Sequence, residues 1–107
     1  MPHYMVQAAY TADAWGGLVK NPQDRAEALR PSIEGLGGKL VSFYMSFGEY
    51  DAVVIAEMPD NVSAAGISIA AAAGGAVKAI KTTPLMTVQE SMEAMRKARQ
   101  SGYRPPS

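Results

Sequence analysis

Few side chains in this 107-residue sequence suit acid–base, nucleophilic or metal chemistry, and they are scattered. His3 is the single histidine, and a serine triad would need it as base; no Gly-x-Ser-x-Gly elbow accompanies it. The sequence has no cysteine, which excludes disulfides, zinc–thiolate sites, iron–sulfur clusters and thiol nucleophiles. One histidine also leaves no basis for a dedicated transition-metal site, so neither a metal nor a cofactor is expected. The carboxylates Glu49, Asp51 and Glu57 sit on one expected hairpin. If Asp51 and Glu57 share a face that lines a cavity, they can hold a cation or act as acid–base groups with raised pKa; at a strand end they are solvated charges. Lys20, Arg25 and Lys81 are the cations available to an anion site at helix termini, although dispersed single cations are commonly just solvated. No Gly-rich phosphate loop or dinucleotide fingerprint occurs.

Ten basic and ten acidic residues cancel. Nucleic-acid and anionic-membrane partners normally require a basic excess, so neither is expected. With 48% apolar and 19% charged residues, the chain reads as one folded unit over 1–101, followed by a flexible tail over 102–107. The start, Met1-Pro2-His3-Tyr4, lacks a basic segment followed by an apolar core, and the apolar run Ala64 to Val77 is too short to span a bilayer. The expected location is the cytoplasm.

The elements that must position these groups follow from periodicity. Residues 3–10, 39–47 and 50–58 alternate as strands, and 76–82 form a shorter one. Helices are expected over 14–20, from Asn21-Pro22 (Asn21 as N-cap) to Gly37-Gly38, over 62–73 and over 88–101, the last opened by a capping box at Thr87. Pro31 should kink or split the second of these. Gly48-Glu49 reads as a tight hairpin turn. The order β-α-β-β-α-β folds most economically as an α+β, ferredoxin-like four-stranded antiparallel sheet with the helices on one face, here followed by a C-terminal helix.

Both faces of the middle strands are apolar. Strict alternation places Val41, Phe43, Met45, Phe47, Val53 and Ile55 on one face, and Leu40, Tyr44, Ala52, Val54, Ala56 and Met58 on the other. Helices cover one set. The other would be an exposed apolar patch on a monomer, so a homodimer or larger symmetric oligomer is expected.

The most distinctive stretch is Ser46-Phe47-Gly48-Glu49-Tyr50-Asp51, running into Ala52-Val53-Val54-Ile55. It resembles the signature of the GYD domain family, with Gly48, Tyr50 and Asp51 as the Gly–Tyr–Asp motif. The likeness extends to Gly37-Gly38-Lys39-Leu40, Phe43-Tyr44 and Met58-Pro59-Asp60, and covers roughly residues 3 to 95. It implies a ferredoxin-like fold of the dimeric α+β barrel kind and supplies no reaction.

Two functions remain open. In the first, an oligomeric domain binds a small molecule between sheet and helices or at the oligomer interface, using Tyr4, Phe43, Tyr44, Phe47, Tyr50, Asp51 and Glu57. In the second, a non-catalytic assembly or regulatory module uses its sheet face only to associate. No catalytic motif favours an enzyme.

Overall fold

The computed structural model of the chain describes residues 1–106. Eight elements follow in order: β1 (His3–Tyr10), α1 (Ala12–Lys20), α2 (Arg25–Gly35), β2 (Lys39–Met45), β3 (Ala52–Glu57), α3 (Asn61–Ala73), β4 (Val77–Leu85) and α4 (Val88–Gln100). The strands pair antiparallel in the order β2-β3-β1-β4. This is the expected ferredoxin-like arrangement, with α2 and α3 packed on one face through Ile33, Ala64 and Ile67.

Each helix begins at a side chain that accepts from an otherwise unbonded backbone N–H. Thr11 caps α1, Asp24 caps α2, Asp60 caps α3 and Thr87 caps α4 with a full capping box. Asn21 is not the cap of α2; it ends α1, and Asp24 accepts from Glu27 N–H at 3.1 Å. Pro31 does not split α2, which runs unbroken through it with one backbone bond forgone. Pro84 lies within β4, which extends past the expected break. β4 is an edge strand, where the missing donor of a proline is tolerated.

The strand alternation is broken at one point. Leu40 pairs with Ala56 and Ser42 with Ile55, so Val41 is an extra residue in β2. A bulge of this kind moves every later side chain to the opposite face. Phe43 therefore joins Leu40 and Val54 on the helix side, and Tyr44 joins Val53 and Ile55 outside. Strict alternation had separated Leu40 from Phe43. The hairpin is also looser than a tight turn. Six residues, 46–51, connect β2 to β3, and Gly48 is not among the glycines with positive φ. Ser46 N–H donates to the Asp51 carbonyl at 2.8 Å, and Ser46 Oγ donates to the Tyr50 carbonyl at 2.6 Å.

Gly38 is required by space. A Cβ there would stand 2.5 Å from both the Glu57 carbonyl oxygen and Met58 Sδ. Gly38→Ala should therefore cost about 2 kcal/mol. Gly35→Ala, where a Cβ meets nothing within 4 Å, should be neutral or slightly stabilising. Urea midpoints compare the two, and equal midpoints would refute the packing argument.

Backbone N–H donation from Ser63 holds the Asp60 carboxyl below its ordinary value, and donation from Thr87 does the same for Glu90. A lowered folded-state pKa stabilises at and above the ordinary carboxylate range and is lost as pH falls through the lowered value. Below about pH 4, amides in the first turns of α3 and α4 should exchange faster while sheet amides stay protected, as read by hydrogen exchange.

Candidate functional site

The inner sheet face is built from small residues where it meets the helices. Ala8, Ala52 and Ala56 are buried there, and α3 contributes Ala64 and Ala71. α2 packs chiefly on β2 and α3 on β4, so the two helices barely touch one another. Short side chains below and parted helices above leave a cavity of about 90 Å³. Its walls include Tyr4, Phe43, Val54, Ile33, Ile67 and Ile80.

An outer cleft of about 350 Å³ lies between α2 and α3, with Leu29 and Ser32 on one side and Ile67, Ala70 and Ala71 on the other. Tyr10 and Arg25 line both the cavity and the cleft. Arg25 is the first residue of α2, half-buried, and donates to the Gln23 side-chain oxygen at 3.1 Å. Among the described residues no carboxylate lies within ion-pair distance of it. A guanidinium and the N-terminus of α2 therefore both present positive potential at the rim of an apolar space.

The Asp51 carboxylate fixes one wall of this space. Its Oδ2 accepts from the Tyr10 backbone N–H at 2.9 Å and from the Trp15 indole N–H at 3.3 Å. The Tyr10 and Trp15 rings meet edge to face with centroids 5.5 Å apart. Asp51 N–H itself donates to the Ala8 carbonyl at 2.8 Å. The Gly48–Tyr50–Asp51 connection is thus tied to the end of β1, and the tie sets the Tyr10 ring against the cavity.

The residues singled out in the sequence fall into three places. Tyr4 and Phe43 line the cavity, and the Tyr4 hydroxyl donates to Asn61 Oδ1. Asp51 supports it through Tyr10. Tyr44, Phe47, Tyr50 and Glu57 lie elsewhere. Tyr44 stands exposed on the outer sheet face; Phe47 and Tyr50 line a shallow recess with Gln7 and Lys81; Glu57 faces His3 across 3.9 Å. Asp51 immediately precedes β3 and Glu57 is its last residue, roughly 20 Å apart at strand rise, so they do not form a pair. No cluster of three metal-ligating side chains exists among the described residues. Of the three cations, Arg25 alone reaches the cleft. Its neighbour Tyr10 carried no motif; the signal for both was the run of alanines opposite them, which leaves room for a cavity.

Asp51→Ala should cost about 1–2 kcal/mol by stranding two donors, and should shift the emission of Trp15, the single tryptophan. Asp51→Asn keeps an acceptor and should lose less. Denaturation curves followed by Trp15 emission check both, and an unshifted spectrum in the alanine variant would refute the tie.

No curated protein matches the chain. The family model described as GYD domain matches residues 4–95. That span holds all of the sheet but His3, α1 to α3 and the first part of α4, together with Gly48, Tyr50 and the Asp51 carboxylate that ties the connection to β1, and by this match the chain belongs to the GYD domain family.

Proposed function

We propose that this protein binds a small amphipathic carboxylate, with the hydrocarbon part in the cavity and the head group at Arg25. One observation carries the reading: an apolar cavity opens past a half-buried arginine that has no carboxylate partner among the described residues. Apolar groups gain by leaving water, and a guanidinium accepts a carboxylate in bidentate fashion. Size limits the ligand. An apolar cavity of about 150 Å³ holds benzene. By proportion the inner cavity, at 90 Å³, takes about four heavy atoms, and the outer cleft takes the remainder.

Binding without turnover fits the lining. The titratable side chains around the cavity are Tyr4, Tyr10 and Arg25, while His3 and Glu57 lie on the other face of the sheet. A second reading, assembly through the outer sheet face, draws on the apolar residues Met5, Val53 and Ile55 displayed there without a covering element.

Hexanoate, hexanol and hexylamine titrated by calorimetry test the first reading. Hexanoate should bind about tenfold tighter than hexanol, and hexylamine weakest. Arg25→Gln should erase the hexanoate advantage while sparing hexanol. Equal affinity for all three, or indifference to Arg25→Gln, would sink it.

A further inference from the structure

α4 is a helix without a partner. It makes no substantial packing contact with any other element. Yet its sequence is amphipathic: Val88, Met92 and Met95 recur at one-turn and two-turn spacing, and they are 77%, 44% and 66% exposed. Gln89, Glu90, Glu93 and Lys97 occupy the other side, Arg96 flanks the stripe, and Arg99 closes it at the C-terminal end. A 13-residue helix standing alone in water is marginal, and helices of this length owe their stability to burial of an apolar face. The capping box fixes where α4 starts but buries nothing.

The whole chain shows the same excess. Its radius of gyration is 16.9 Å and its longest extent 57 Å. A compact chain of this length has a radius of about 13 Å. Its accessible surface is 7423 Å². A folded monomer of this mass exposes about 5,700 Å², so roughly 1,700 Å² remains to be covered. Obligate homodimers bury about 1,000–2,500 Å² per copy, and the excess falls within that range.

Two apolar surfaces therefore stand without a covering element on one chain: the exposed α4 stripe, and the outer sheet face, where Tyr44 is exposed and Met5, Val53 and Ile55 are half-buried. A two-fold pairing buries both together, because each copy gives a helix and receives one. The formal charge of zero means that copies approach without long-range repulsion.

We infer that α4 is an exchanged arm: in a two-fold pair of this chain, Val88, Met92 and Met95 of each copy pack on the other copy, within the interface that covers the outer sheet faces. The partner is a second copy, and the arm is buried by it rather than by its own sheet.

Sedimentation equilibrium of the full chain should give twice the 11.3 kDa chain mass. The double variant Met92→Glu, Met95→Glu should raise the dissociation constant about a hundredfold or more. A monomeric wild type overturns the proposal, whether another protein or its own sheet covers α4. A dimer unchanged by the double variant also overturns it, leaving association to the sheet face alone. If the double variant fails to fold, the wild type carries the test. In a mixture of copies with ¹³C-labelled methionine methyls and unlabelled copies, filtered NOE spectra should connect the Met92 and Met95 methyls to the unlabelled copy. Contacts confined to their own copy would overturn the arm.

Discussion

A four-stranded sheet has two faces, and this chain packs helices on only one of them. α2 and α3 cover the face bearing Tyr4, Val54 and Ala56. The face bearing Met5, Val53 and Ile55 is left without a layer. Apolar side chains appear on both faces, so the fold covers one half of the sheet and leaves the other half without a layer of its own. The uncovered α4 belongs to the same constraint. It follows the edge strand after a two-residue connection, and its apolar stripe joins neither of the core clusters.

On the covered face, side-chain size is the controlling quantity. Ala8, Ala56, Ala64 and Ala71 are too short to fill the space between sheet and helices. Larger residues at the same positions would bring the layers to ordinary packing density and close the gap. Because α2 leans on β2 and α3 on β4, the gap opens between them to the surface, and Arg25 stands at its rim. The lining is otherwise apolar, so the guanidinium is the one full charge at the mouth of this space among the described residues.

The Gly–Tyr–Asp segment acts at a distance from the cavity it helps to form. The Asp51 carboxylate answers two donors, the Tyr10 backbone N–H and the Trp15 indole N–H, that strand pairing and the capping of α1 leave unbonded. Both are 36 to 41 residues away in the chain. One carboxylate thereby joins the β2–β3 connection, the end of β1 and the start of α1. The Tyr10 ring it steadies forms a wall of both the cavity and the cleft.

What the sequence by itself determined was local. The capping box at Thr87, period-two strands and the glycine breaks establish the element order, and the order leads to the ferredoxin-like sheet, because each of those signals acts over a few residues. The apolar character of both sheet faces was equally legible, and so was the Gly48–Tyr50–Asp51 stretch that marks the family. The tertiary structure alone decided the rest. The bulge at Val41 arises from the pairing of β2 with β3 and reverses which of Phe43 and Tyr44 faces the helices. Whether Asp51 met Glu57 or Tyr10, and whether Arg25 was a solvated cation or the rim of a cleft, depended on how distant segments pack. A spacing along the chain specifies a face; only the register between strands and the lean of helices on a sheet specify what that face meets.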